Sequence, residues 1–346
     1  MIDPPPEIPL ENEEADDDGD LPEAAAAGDG EWIENRFHVE PNYRDLRLDR
    51  YLQVKLRRLS RSLIARVIRS CLTLNGAPVR KPGVRIRPGD HILIRRLAPP
   101  EPDVPRYITV LCDTPTHVVL DKPAGLPMHP TARYYHNTVT ALLKERFPAP
   151  DAVYLAHRID RETSGLVLCG RGATATNELK AAFRRGQVQK RYWALVHGDL
   201  DAEALVDLPL GPKPGSIIRL KMGVRPDGQP AQTLVVPLTR YGRFTLVEAR
   251  PRTGRQHQIR VHCEAIGHPL VGDKLYGHPD DFFVELMEEG VTERIAAALL
   301  LPRQALHARW LRFPVPGAPG EFAEISAPLP EDLSSFVAGL GDPPPP

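Results

Sequence analysis

A tight cluster of charge runs directly into an apolar segment at His157-Arg158-Ile159-Asp160-Arg161-Glu162-Thr163-Ser164-Gly165-Leu166-Val167-Leu168. Chemistry is expected at that junction, where a carboxylate stands between two arginines at the edge of an apolar segment. Leu166, Val167 and Leu168 read as the start of a buried strand, with the turn-compatible Thr163, Ser164 and Gly165 just before it. Asp160 is therefore expected on a loop held by a rigid strand. A carboxylate flanked by Arg158 and Arg161 also suits a surface ion pair, and these twelve residues alone leave both readings open.

The elements that must position this loop can be read from the rest of the chain. At 346 residues, of which 42% are hydrophobic, the sequence supports two domains on the usual scale of about 150 residues each. No run of eighteen apolar residues occurs, and the first thirty residues are acidic. Neither a membrane span nor a secretory signal is expected, and the location is read as cytoplasmic. Cys71, Cys112, Cys169 and Cys263 stand apart without a C-x-x-C pair, which argues against a zinc ribbon or a disulfide framework.

The net charge of -1 hides a segregation. Residues 1 to 31 carry twelve Asp or Glu and no Lys or Arg, whereas Tyr43 to Leu97 carry fifteen Lys or Arg against three Asp or Glu. The acidic, Pro- and Ala-rich leader, taken as 1–42, is expected to be disordered. The folded basic block after it is the electrostatic footprint of a polyanion partner.

Within that block, Leu48, Leu52 and Leu56 at spacing four, then Leu63, Ile64, Val67 and Ile68, predict two helices, with Ser60 a candidate N-cap between them. Arg57, Arg58, Arg61, Arg66 and Arg69 make their exposed faces cationic and are the candidate contacts to that polyanion. Leu72 and Leu74 alternate into the turn signal Asn75-Gly76, Val84 and Ile86 alternate again, and a strand over Ile92–Ile94 closes a helix-helix-hairpin module spanning 43–97. With its Arg47-Leu48-Asp49-Arg50-Tyr51-Leu52, Ser60-Arg61-Ser62, Leu74-Asn75-Gly76 and Gly89-Asp90, this stretch resembles the RNA-binding module named after a small-subunit ribosomal protein. Ser70 stands where such modules usually have Gly.

A Pro-rich linker is placed at 98–106, followed by a second domain over 107–330 and a tail over 331–346. In that domain, Val118-Val119-Leu120 reads as a buried strand running into the rigid loop Asp121 to Pro130. Thr138–Phe147 and Asn177–Arg185 read as helices, and Lys190 to Gly198 as a strand with Tyr192 and Ala194 on one face. Residues 201–228 read as a long loop or irregular hairpin. Ala231–Leu238 and Phe244–Ala249 read as strands, the later half of Thr253–His262 as a helix, and Phe282–Leu301 as an inserted helical region.

Five blocks in one order, Lys122-Pro123-Ala124-Gly125-Leu126, His157 to Leu168, Lys190 to Gly198, Thr253 to His262 and Gly272-Asp273-Lys274-Leu275-Tyr276-Gly277, resemble the RluA-type pseudouridine synthases. These isomerise a uridine in structured RNA to its C-glycosidic form. Departures are small: Ile159 replaces the commoner Leu, Cys169-Gly170 follows the strand, and Phe313-Pro314-Val315-Pro316 lacks a His before Pro. The resemblance implies an α+β fold, a mainly antiparallel mixed sheet flanked by helices and loops, preceded by the small α/β RNA-binding module. It makes Asp160 the catalytic aspartate, Tyr192 the active-site tyrosine and Arg255 the basic partner within salt-bridge reach of Asp160. Arg158 becomes the base-displacing residue, and His157, Thr163, Ile259 and Lys122 join it in binding substrate.

The reaction needs no redox change and no leaving group, so no cofactor is expected. His257 and His262 do not form the H-E-x-x-H pattern, and no metal is expected. Lys122-Pro123-Ala124-Gly125 lacks the ending of a phosphate-binding P-loop, and no G-x-S-x-G elbow surrounds Ser164. The expected partner of a monomeric enzyme is RNA, large-subunit ribosomal RNA first and transfer RNA as the alternative. From another class, a non-catalytic RNA-binding or ribosome-assembly protein keeping this fold stays open.

Overall fold

The structure, a computed structural model, describes residues 32–56, 61–97, 101–131 and 134–341. The acidic leader over 1–31, Arg57, Arg58, Ser60, residues 98–100 of the linker and the tail from Asp342 lie outside the described residues. The chain divides into two compact units between Glu101 and Pro102.

The smaller unit begins with β1 (Trp32–His38), followed by α1 (Leu48–Lys55), α2 (Arg61–Cys71), β2 (Leu72–Leu74), β3 (Ala77–Pro78) and β4 (His91–Leu97). Its sheet has the order β1-β4-β2-β3 and is antiparallel throughout. Apolar positions on the two helices, Leu48, Tyr51, Leu52, Ile64, Val67 and Ile68, close over Ile92 and Ile94 of β4. Asn75 and Gly76 take positive φ of 51° and 82° at the β2–β3 turn, the backbone that an Asn-Gly hairpin requires. The expected disordered leader over 1–42 is corrected here: Trp32–His38 is a strand paired with β4 from Trp32↔Leu97 to His38↔His91. Its charged, weakly alternating sequence is held by β4, a long-range pairing that local pattern does not encode. The strand expected around Val84 and Ile86 reduces to a single bridge, Arg47↔Arg85.

The larger unit is built on one mixed sheet. Its first elements are β5 (Thr109–Asp113), β6 (His117–Lys122), α3 (Val139–Arg146), β7 (Val153–Leu155), β8 (Ser164–Arg171), α4 (Gly172–Arg184) and β9 (Gln189–His197). Then come β10 (Ala204–Asp207), β11 (Leu210–Pro212), β12 (Met222–Val224), β13 (Gln232–Arg240), β14 (Phe244–Pro251), α5 (Gln258–Ala265), α6 (Asp280–Glu289), α7 (Glu293–Leu299), β15 (Leu306–Pro314), β16 (Phe322–Ser326) and α8 (Glu331–Ala338). The strand order is β10-β13-β14-β9-β15-β8-β6-β5, with β16 on β15 and β7 on β8. Its pairs are antiparallel except β15 with β8, where His307 faces Ser164 and Ala308 faces Gly165.

That parallel contact sets the site. Gly165 has φ 105°, and a Cβ on it would lie 2.4 Å from the carbonyl oxygen of Ala308, so only glycine lets β8 begin this close to β15. From Ser164 to Gly170 the strand is buried on both faces, which explains its continuous apolar run. Leu120, Leu166, Leu168, Ala194, Val247, Ile259, Leu306 and Phe313 belong to one continuous hydrophobic core. Leu195, Phe244, Val271 and Ala305 form a second cluster with Leu333 of α8. Residues 331–338, expected to be tail, are therefore a packed helix, because Leu333, Phe336 and Val337 recur on one face. α4 starts five residues before the expected Asn177, since Gly170 and the small residues Ala175 and Thr176 let the helix sit against β8.

Candidate active site

Asp160 lies on the loop between β7 and β8, and that loop is tied down at several points. His157 Nε2 accepts the Leu168 N–H at 2.9 Å, and its ring packs on Phe183 with centroids 4.7 Å apart. Lys122 is fully buried at the end of β6, and its Nζ donates to the carbonyls of Pro123 (2.8 Å), Leu126 (3.0 Å) and Arg161 (2.9 Å). Three protons on three carbonyls match the donor capacity of an ammonium. The Thr163 N–H closes a turn on the Asp160 carbonyl at 3.1 Å, and Thr163 Oγ1 accepts from Gln304 Nε2 at 2.8 Å.

These contacts correct three substrate-binding expectations. His157, Lys122 and Thr163 point into the protein and hold the Asp160 loop from behind. Burial, aided by the charge of Lys190, pushes the His157 imidazole down to about 3, so it stays neutral and able to accept the Leu168 N–H. Ile259 is also buried, on α5 among the core residues. Arg158 is half-buried on the loop, and its charge bears on Asp160.

The guanidinium on Asp160 is that of Arg260, and this corrects the expected Arg255 pair. Arg260 Nη1 lies 3.1 Å from Asp160 Oδ2, while its Nε and Nη2 fork onto Asp273 at 2.7 and 2.9 Å. Arg255 is exposed and donates from Nε to the Pro230 carbonyl at 3.1 Å. The physical reason is where α5 begins. With His257 as N-cap and Gln258 as the first helical residue, Arg255 falls in the preceding loop and Arg260 within a helix whose residues Gln258–Cys263 are buried.

The anchor of the arrangement is Asp273, buried in the turn after β14 and α5. Its Oδ1 also accepts the N–H groups of Leu275 (2.9 Å) and Tyr276 (3.1 Å). The Tyr276 ring lies under Arg260, 4.9 Å from the guanidinium carbon, and its hydroxyl contacts His257 Nδ1 at 2.8 Å. His257 takes the left-handed backbone, φ 55° and ψ 18°, at the start of α5.

Burial pushes the Asp160 carboxyl upward, but attraction from His257, then from Arg260 with its hydrogen bond, and from Arg158 outweighs it, so the group is held below the usual aspartate range. Gln304 Nε2 adds a long contact to Asp160 Oδ2 at 3.4 Å. Tyr192, on β9, is buried. Burial and then the charge of Asp160 push its phenol far up, so it keeps its proton at neutral pH. Lys190, two residues earlier on the same face, donates to the Thr253 carbonyl at 2.9 Å, and burial brings it down to about 8.

Arg260, Asp273, Gln304, His257 and Tyr276 have no role assigned from sequence. A signal exists for Arg260 and Asp273. An arginine embedded in Ile259-Arg260-Val261 on a core-facing helix needs a buried counter-charge, and Asp273 sits in a Gly-Asp turn shortly after that helix. Gln304 offers none, being one amide in a connecting segment.

The smaller unit carries a separate polar concavity of about 300 Å³, lined by Arg47, Asp49, Arg50, Gln53 and Arg61. Arg47 forks onto Asp49 at 3.0 and 2.7 Å, and Arg61, Arg66 and Arg69 are exposed on α2. Among the described residues, no helix is long and apolar enough to cross a membrane.

Comparison with known proteins bears on this geometry. The model of a family described as RNA pseudouridylate synthase matches residues 116–265. The Ribosomal large subunit pseudouridine synthase D of Xanthomonas campestris pv. campestris is 35% identical over 306 residues, covering 85% of this chain and 88% of that protein. A protein of the same name from Nitrosomonas europaea is 36% identical over 228 residues, 64% of this chain and 62% of that one. The Ribosomal large subunit pseudouridine synthase C of Vibrio cholerae is 32% identical over 85% of this chain and 93% of its own. Among solved structures, Human RNA Pseudouridylate Synthase Domain Containing 4 superposes with a TM-score of 0.53 at 25% identity, covering 67% of this chain and 92% of that one. Human RNA Pseudouridylate Synthase Domain Containing 1, at 24% identity and TM-score 0.50 over 71% of this chain and 100% of its own, shares the fold.

Proposed function

The chain belongs to the RluA-type RNA pseudouridine synthases, isomerases acting on RNA, and from that premise we propose that it modifies large-subunit ribosomal RNA with Asp160 as the catalytic carboxylate. The target reading is supported by the names of relatives that align with 85% of this chain. The chemical reading is carried by one observation: Asp160 is a largely buried carboxylate held below the usual aspartate range, against its burial, by His257 and then by Arg260, which contacts it directly at 3.1 Å.

Isomerising uridine requires breaking the N-glycosidic bond, turning the uracil and joining its carbon 5 to the sugar. Ionised Asp160 attacks or steadies the electron-poor sugar carbon, and is released when the new carbon–carbon bond forms. Arg260, with His257, keeps the carboxylate charged and holds one of its oxygens, while the fork onto Asp273 fixes Arg260. Tyr192, which keeps its own proton, passes it to the Asp160 carboxylate as it takes the proton leaving carbon 2′, the relay reversing as the new bond forms, and its ring stacks on the uracil. The uridine must leave its stack, at a cost of a few kcal/mol, and Arg158 holds the space or the phosphates it leaves.

The basic smaller unit supplies salt-dependent affinity for the RNA backbone through Arg61, Arg66 and Arg69, with Arg57 and Arg58 in the same sequence block. The target is tested by mapping pseudouridines in RNA from cells lacking this protein. The proposal expects loss of one or more sites in large-subunit ribosomal RNA, restored by the wild-type chain and not by Asp160→Asn. Loss confined to transfer RNA would overturn the choice of target.

A further inference from the structure

The last helix of the chain reaches the catalytic loop through one buried guanidinium. Arg303, with its side chain 7% exposed, forks onto Asp332 of α8 through Nε at 2.6 Å and Nη2 at 2.9 Å. Its Nη1 faces the main-chain carbonyls of Glu162 (3.3 Å), Gln304 (3.2 Å) and Leu306 (3.4 Å). The next residue, Gln304, bonds Thr163 Oγ1 at 2.8 Å and reaches Asp160 Oδ2 at 3.4 Å. The adjacent pair Arg303-Gln304 therefore touches the loop at Asp160, Glu162 and Thr163, and its guanidinium is oriented from behind by Asp332.

We propose that Asp332 is a positioning residue for the reaction, setting the Arg303-Gln304 pair that holds the loop of Asp160. This rests on Asp160 being the catalytic carboxylate. A fork fixes both the place and the plane of a guanidinium, which a single contact does not. Without its counter-charge a buried arginine moves or draws in water, and the Glu162 carbonyl loses its fixed donor. Asp332 is itself rigidly placed. It sits in the first turn of α8, where a helix N-terminus favours an anion, and accepts its neighbour's N–H, from Leu333, at 2.9 Å. Leu333, Phe336 and Val337 pack that helix on Leu195, Phe244 and Ala305. Displacement of a catalytic group by about 1 Å can cost 10²-fold in rate, so a helix that touches no substrate can govern turnover.

The test is the single-turnover rate constant of the full-length enzyme on saturating RNA, with RNA affinity and melting temperature measured in parallel. Asp332→Asn is expected to slow isomerisation by about tenfold or more with RNA affinity unchanged, and Asp332→Glu, which keeps a carboxylate for the fork, to recover most of the rate. Ile295→Ala, in the separate cluster of Phe282, Ile295 and Leu299, is expected to lower the melting temperature while keeping the rate constant. A wild-type rate in Asp332→Asn overturns the proposal, and so does equal slowing in Ile295→Ala. Asp160→Asn separates this from the underlying reading: if that variant still isomerises uridine, the role of Asp160 itself fails, whatever Asp332→Asn does.

Discussion

Arg260 and Asp160 meet at 3.1 Å across a hundred positions of sequence, and the same guanidinium forks onto Asp273. One cation thus serves two carboxylates, Asp273 buried and fixed by two N–H groups, and Asp160 on the loop proposed to carry the chemistry. This arrangement orients the reactive group through a residue that is itself immobile.

Removing Arg260 should therefore damage both chemistry and fold. Arg260→Ala leaves Asp160 and Asp273 without their counter-charge, a loss of about 3–5 kcal/mol for a broken buried pair. Arg260→Lys keeps the charge but not the fork, and is expected to fold and to lose about 10²-fold in single-turnover rate. Arg255→Ala, at an exposed residue, is expected to keep the chemical step near wild type. A collapse of rate in Arg255→Ala with an active Arg260→Lys would reverse this assignment.

Tyr192→Phe separates the two contributions proposed for the phenol. Because the phenol keeps its proton and feels the charge of Asp160, its loss is expected to slow the chemical step by about 10²-fold while RNA binding is retained. Wild-type turnover would leave Tyr192 with a stacking role alone.

Acid acts on the fold before it acts on Asp160. Burial brings His157 to about 3 and His307, with help from Arg303, to about 4, against 6.5 for the free side chain. Both imidazoles are neutral when folded, while an unfolded chain takes up protons below about 6.5. Their stabilising contribution is therefore complete above that pH and is lost as pH falls towards the folded values. Denaturant unfolding at pH 7.5, 6 and 5 is expected to show decreasing stability. The acid limb of the single-turnover rate should lie below the ordinary aspartate range. A flat stability profile from pH 7.5 to 5 would contradict this account of the two histidines.

Affinity and chemistry should separate between the units. The double variant Arg61→Glu, Arg69→Glu is expected to weaken RNA binding and to flatten its dependence on salt, by roughly 0.7–0.9 in slope for each phosphate that is no longer neutralised. The chemical step at saturating RNA is expected to be unchanged. An unaltered salt slope would remove the smaller unit from RNA binding.

How legible the site is in sequence depends on the range of the interaction. Local pattern places Asp160 on a loop before an apolar strand and Tyr192 on one face of its strand, but leaves an ion pair and core packing open; the resemblance of their blocks to the family picks them out. Local pattern also places α2, the Asn75-Gly76 turn and β6. The partner of Asp160 lies five residues from its expected position, Arg260 rather than Arg255, because it depends on where α5 begins, and His257 starts that helix from a left-handed backbone with no side-chain cap to mark the boundary. Lys122 and His157 resemble substrate ligands in sequence because they are polar and beside the motif. Only the fold reveals that carbonyls and an amide of the loop are their partners. β1 and the role of Asp332 rest on pairings far apart in sequence, which no local pattern records.

The central claim is tested most directly by tritium release from carbon-5-labelled uridine in large-subunit ribosomal RNA, comparing wild type with Asp160→Asn under single-turnover conditions. The account predicts release by the wild-type enzyme and none by the variant, with RNA binding intact in both. Release by Asp160→Asn near the wild-type rate would contradict it.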